Sequence, residues 1–271
     1  MAHNTNRRIE ETFAALRTQK RAALIPFIMG YDPDAATTSA LLDKMAEKGA
    51  DIIEIGIPFS DPMADGKVIQ QAGRRALNAG ATVAGILELV RDFRTRHASI
   101  PIILMGYYNP VYRYGGDKFC KDAAAAGVDG IILVDLPPEE EEELRPALDA
   151  NGLNLIRLIA PTSGDNRLKP LCDSAGGFVY YISIAGITGA QTADPQELKA
   201  KVQHLKEFTP LPVAVGFGIK TAEQVAQVAK FADAVVVGSA LVEVVATQAS
   251  REKQVKAAGD FISSLAKGLA H

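Results

Sequence analysis

The sequence predicts an α/β protein folded as a single (β/α)8 TIM barrel, with an extra N-terminal helix and an insertion after strand 2. Three observations carry this. Eight short runs rich in β-branched and large apolar residues recur along the 271 residues, each followed by a Gly/Pro/Asp/Ser turn and a helical pattern. Most of these runs start roughly 20–35 residues apart, the length of one strand–loop–helix unit. The runs are near-continuously apolar, as strands are in a parallel sheet covered by helices. A doubly wound open sheet is the structural alternative. Against it, no GxGxxG follows the first run, and eight regular units suit closure. The whole chain, 1–271, is read as one domain.

Residues 7–19 form an amphipathic helix over the bottom of the barrel. The strands follow as AALIPFIM (22–29), DIIEIGI (51–57), IPIILMG (100–106), VDGIILVD (128–135), LNLIRLIA (153–160), GFVYYIS (177–183), LPVAVGF (211–217) and ADAVVVG (232–238). Helices are expected over 35–48, 83–96, 118–126, 139–151, 195–208 and 222–231. Asp34, Thr82, Asp194 with Pro195, and Thr221 with Glu223 supply the entry signals. Phrases such as EKGAD, AAGVDG and ANGLN end a helix on glycine and lead into the next strand. The gap of about fifty residues between strands two and three holds a further helix, 68–78, and the stretch IIEIGIPFSDPMADG.

Composition narrows the function. Apolar residues make up 48% and charged residues 23%, which suits a globular protein with a sizeable core. A formal net charge of −3 gives no electrostatic case for nucleic acid or an anionic membrane. Cys120 and Cys172 fit free thiols of a reducing compartment better than a disulfide framework. The N-terminus lacks the apolar core of a signal peptide, and ADAVVVGSALVEVVA is too short and too charged to span a bilayer. A cytoplasmic location is expected.

In this architecture chemistry gathers at the carboxyl ends of the strands. His3, His97, His204 and His271 lie at the termini or in helices, so neither histidine acid–base catalysis nor a metal site is expected. Glu54, however, lies within the second strand between isoleucines. One reading is a general acid/base whose pKa the apolar surroundings raise; the other is an interior carboxylate satisfied by a neighbouring hydroxyl or amide. Asp65, in the loop PMADGK, is either a second acid over the same pocket or the N-cap of the next helix.

Glycines form a second pattern: SIAGITGA (183–190), GFGI (216–219) and VGSA (237–240) end strands six, seven and eight. Glycine loops after the last two strands, one opening a helix, suit a phosphate group, although tight βα turns alone would also use them. Tyr107, Tyr108 and Tyr112 cluster after strand three, as an aromatic wall or as packing. The acidic run PPEEEEEL (137–144) reads as a solvated first helical turn rather than a metal site.

Seven segments in order, IPFIMGYDP, DIIEIGIPFSDPMADG, ILMGYYNPVYRYG, GIILVDLP, YYISIAGITGA, VGFGI and VVVGSA, make the sequence resemble the tryptophan synthase alpha chain family over essentially its full length. The resemblance implies a lyase: retro-aldol cleavage of indole-3-glycerol phosphate to indole and glyceraldehyde 3-phosphate. It implies Glu54 as the proton donor to C3 of the indole and then as base for the glycerol hydroxyl, with Asp65 accepting the indole N–H. Phe27, Met105, Tyr107, Ile132, Tyr180 and Phe217 would enclose the indole, and Gly189, Phe217, Gly218, Gly238 and Ser239 would hold the phosphate. Thr188 would bond Asp65 on loop closure.

The resemblance also implies a beta-chain partner in an alpha2–beta2 heterotetramer. Pyridoxal phosphate would reside in that partner, with no cofactor or metal in this chain. Two positions depart from the family pattern. Lys67 replaces the proline of ADGP, and Ile184 stands where some relatives carry arginine. Two other functions share the barrel: a sugar-phosphate isomerase or epimerase, and an alpha-like barrel of low turnover that mainly activates a beta chain.

Overall fold

The computed structural model describes residues 7–182, 195–216 and 218–269. Eight parallel strands form a ring. β1 (Ala23–Met29), β2 (Ile53–Gly56), β3 (Ile102–Gly106) and β4 (Gly130–Leu133) pair in sequence order. β5 is split into Asn154–Leu155, which pairs with β4, and Arg157–Ile159, which pairs with β6 (Val179–Ile182). β7 (Val213–Gly216) and β8 (Ala234–Val237) complete the ring, and β8 pairs with β1. The predicted barrel is thus borne out.

Strand alternation divides the apolar residues between two layers. Ala23, Ile25, Ile52, Ile103, Ile132, Ala214, Ala234 and Val236 fill the barrel interior. Leu24, Ile28, Ile53, Ile55, Leu104 and Val235 face outward into the layer under the helices. This settles the local puzzle of an acid among isoleucines. Ile53 and Ile55 point away toward the helices, while Glu54 follows Ile52 into the interior.

The first helix, α1 (Arg8–Thr18), buries Ile9, Phe13 and Leu16 against the interior cluster, with the Phe13 and Phe178 rings edge-to-face at 5.9 Å. It therefore closes the amino-terminal end, as its apolar spacing predicts. The ring of helices continues as α2 (Ala35–Glu47), α3 (Lys67–Asn78), α4 (Val83–Arg96), α5 (Tyr108–Tyr114), α6 (Gly116–Ala126), α7 (Arg145–Ala150) and α8 (Asp165–Asp173). It ends with α9 (Pro195–Leu205), α10 (Ala222–Val228), α11 (Ser239–Ala246) and α12 (Arg251–Ala266). Asp34 and Thr82 cap their helices as expected, accepting from the Thr37 and Gly85 N–H groups. At Thr221 the capping box is completed by Gln224 rather than by Glu223.

Some helices differ from the sequence expectation. The helix expected over 139–151 divides into a 3-10 turn, Pro138–Glu143, and the short α7. The acidic run is largely solvated as expected, with Glu139, Glu140, Glu142 and Glu143 exposed, and it also forms ion pairs: Glu141 with Arg145 and the buried Arg157, and Glu139 with Arg167. Finally, α5, α8 and α12 were not among the expected helices; α8 carries Pro170 in its interior, a residue that argues against a helix when read from sequence.

Cys120 and Cys172 are buried free thiols, and burial pushes Cys120 up to about 12. No helix of the described residues is long and apolar enough to cross a membrane.

Candidate active site

A cavity of about 260 Å³ opens at the carboxyl-terminal end of the barrel, where β1, β2, β3, β6, β7 and β8 deliver their last inward residues. Its lining brings together Glu54, Asp65, Phe27, Met105, Tyr180, Gly218, Gly238 and Ser239 from the sequence reading. Ile132, in register with the lining residue Met105, belongs to the buried interior cluster and does not itself line the cavity. Tyr107 does not line it either, but braces the Asp65 loop. Phe217, Thr188, Gly189 and Ile184 lie outside the described residues.

Glu54 is placed by its strand. In the β1–β2 ladder it pairs with Phe27, and in the β2–β3 ladder with Ile103, so it stands between two apolar neighbours at the cavity floor. Only 2% of it is exposed, and among the described residues its Oε1 has no hydrogen-bond partner. Among the described residues, the reading of a satisfied interior carboxylate therefore finds no group to satisfy Oε1. Burial pushes the carboxyl up to about 8, so it carries its proton at neutral pH. Burial also raises Tyr180 well above its ordinary value, and the nearby Glu54 charge adds to this.

Asp65 is not an N-cap. Gly66 occupies the N-cap of α3 with no side-chain cap bond, and Lys67 takes the first helical position. The Asp65 carboxyl remains half-buried at the cavity, raised by burial and partly lowered by the Tyr107 hydroxyl that donates to it. That same hydroxyl accepts from the Ala64 N–H at 3.0 Å. The Asp65 carbonyl accepts from Gln70 Nε2 at 2.8 Å, tying the loop to the first turn of α3. Burial dominates in pushing Tyr107 up to about 12.

The opposite wall is backbone. Gly218 has φ +59, a conformation that suits glycine, and no atom of the described residues lies within 4 Å of where a Cβ would project. Its backbone therefore faces open space. Gly238 is the N-cap of α11, whose first N–H groups have no partner within the helix. With the Ser239 hydroxyl, these donors and the positive end of the helix dipole suit an anion such as a phosphate. Ile69, Ile182, Ile219 and Val236 also line the cavity and were not singled out from sequence. Ile182 and Val236 were within reach: each stands two residues beyond an inward residue, Tyr180 and Ala234. Among the described residues no group of three His, Cys, Asp or Glu side chains could hold a metal ion.

A buried protonated acid, a second carboxyl above it and an anion-type backbone wall define a barrel enzyme of the phosphate-binding kind, suited to proton transfer on an apolar substrate. The comparisons narrow this. The family model "Tryptophan synthase alpha chain" matches residues 13–269. The chain is 56% identical over 236 residues to the tryptophan synthase alpha chain of Acidiphilium cryptum, covering 87% of this chain and 86% of the relative. It is 52% identical over 266 residues to that of Phenylobacterium zucineum, covering 98% and 96%. Among solved structures, the alpha subunit of tryptophan synthase from Legionella pneumophila superposes with a TM-score of 0.89 at 40% identity, covering 97% of this chain and 98% of that one. This chain belongs to the tryptophan synthase alpha chain family.

Proposed function

We propose that this chain cleaves indole-3-glycerol phosphate to indole and glyceraldehyde 3-phosphate, a lyase step of tryptophan biosynthesis, with Glu54 as its acid. The observation that carries the reading is Glu54 itself: buried, unpaired at Oε1, raised to about 8, and open to a cavity that Asp65 overlooks. The neutral carboxyl protonates C3 of the indole ring, which turns the ring into an electron-accepting leaving group. Asp65 accepts the indole N–H and stabilises the positive charge growing on that nitrogen. The Glu54 carboxylate left behind takes the proton of the glycerol hydroxyl as the C–C bond breaks, which restores the acid.

Phe27, Met105, Tyr180 and Phe217 enclose the indole, with Tyr107 bracing Asp65 and Ile132 packing beside Met105. The phosphate rests on Gly189, Phe217, Gly218, Gly238 and Ser239. Thr188 bonds Asp65 when the loops close and exclude water. A beta chain is the partner, in an alpha2–beta2 heterotetramer, and it carries the pyridoxal phosphate. Met63 and Tyr112, 85% and 62% exposed in the segments after β2 and β3, supply apolar surface for that docking. The location is cytoplasmic.

The test is indole release from indole-3-glycerol phosphate by the purified chain, with and without a beta chain. Release in both, faster with the partner, is expected. No indole under either condition would sink the proposal.

A further inference from the structure

We infer that Asp32 and Arg75 are positioning residues that fix the Asp65 loop relative to Glu54; the inference rests on the role given to Asp65 above. Asp32 lies in the turn after β1 and is 6% exposed. Arg75, two turns into α3, donates to it through both arms of its guanidinium, Nε to Oδ1 at 2.7 Å and Nη2 to Oδ2 at 2.8 Å. Such a forked pair restrains orientation as well as distance.

Each end of this clamp leads to one carboxyl. On the strand side, Asp32 N–H donates to Met29 O, Gly30 N–H donates to Gly56 O at 3.0 Å, and Phe27 pairs with Glu54 in the same ladder. On the helix side, α3 begins directly after the Asp65 loop, and Gln70 of its first turn holds the Asp65 carbonyl. Ala72 and Ala76 seat α3 closely on Phe27 and Met29, leaving mainly sliding and rotation for the clamp to restrain. Asp32 and Arg75 line none of the cavity, so they act on the reaction only through what they hold.

The test is a double-mutant cycle on indole release by the full chain, with thermal unfolding of every variant. Asp32→Asn lowers kcat about tenfold with KM within about twofold, since small misplacement of a reacting group acts mainly on the chemical step. In the Asp65→Asn background the same substitution lowers kcat less than about twofold, because nothing remains to be positioned. Arg75→Lys, which keeps the charge but not the fork, goes through the same cycle and carries the test if Asp32→Asn fails to fold. Equal fold-losses in the two backgrounds, or losses that merely track the folded fraction, overturn the inference. If Asp65→Asn alone leaves kcat unchanged, the role of Asp65 falls and the clamp falls with it; a slow Asp65→Asn with additive losses sinks the clamp alone.

Discussion

Glu54 and Asp129 are both buried carboxyls of one barrel, yet the protein treats them in opposite ways. Asp129, fully buried just before β4 at the amino-terminal end, receives Arg8 Nε at 2.7 Å, Arg94 Nη2 at 2.5 Å and the Ile102 N–H at 2.8 Å. Burial raises its carboxyl, and Arg94, the Ile102 N–H and Arg8 oppose that rise. Glu54 has no opposing group, and burial acts alone. The acid surrounded by partners joins α1 and α4 to the sheet. Glu54, with no partner at Oε1 among the described residues, is the group to which the proposed reaction assigns proton exchange. The partnered acid thus sits at the amino-terminal end of the barrel, and the proposed chemistry at the other.

The largest expected effect separates them directly. Glu54→Gln lowers kcat for indole release by about a thousandfold, the scale of a lost general acid, while the chain gains stability. The sign follows from linkage: with its pKa raised from 4.5 to about 8, folded Glu54 holds its proton where the unfolded chain has lost it. Stability therefore falls as pH rises between those values, and the glutamine, spared this, gains up to about 3 kcal/mol at pH 7 in denaturant unfolding.

Asp129→Asn does the reverse. It leaves two arginines facing a neutral amide and costs about 3 kcal/mol in the same unfolding measurement, with indole release per folded molecule within about twofold of the parent. An activity loss matching that of Glu54→Gln would erase the distinction between the two ends. Asp65→Asn ranks next, with kcat down about a hundredfold, since it removes the acceptor proposed to stabilise charge on the indole nitrogen.

A smaller effect lies in the pH profile. As Glu54 must start protonated, kcat/KM falls above about pH 8, tenfold per unit, and a flat profile to pH 10 would exclude Glu54 as the acid. The smallest concerns Lys67. Gly66 has ψ 162, an extended conformation that suits the residue before proline, and the first helical position needs no N–H. Lys67→Pro should thus raise stability by about 0.5 kcal/mol in thermal unfolding, by restricting the unfolded chain.

Much of this was legible in the sequence because strands and their loops are local. Glu54, Asp65, Gly218, Gly238 and Ser239 were each found from a run and the turn after it, and the barrel then brings them to one end. What depended on contact between distant segments was not legible. Arg75 and Asp32 are 43 residues apart, and nothing in either segment names the other. Tyr107 read as an indole wall, and only the folded chain shows its hydroxyl held between Ala64 N–H and Asp65. Ile132 carried the right chemistry for a pocket but packs in the interior cluster beside the lining residue Met105. The acidic run is exposed as read, but its arginine partners from β5 and α8 were hidden for the same reason, since the composition of the run cannot reveal them.

The split in β5 has a consequence for how the barrel breathes. Toward β4 that strand pairs Asn154 and Leu155 in register, with the Ile156 N–H donating to Ile131 O at 2.9 Å, and from Arg157 onward it pairs with β6. The β4–β5 ladder is thus the shortest of the ring, two register pairs where the others have three or four. Amide exchange should be fastest there among the strands, as a cooperative opening needs the fewest hydrogen bonds broken. The two buried thiols, Cys120 in α6 and Cys172 in α8, both lie in the apolar layer packed over the strands, and their alkylation would report that layer's opening with no added label.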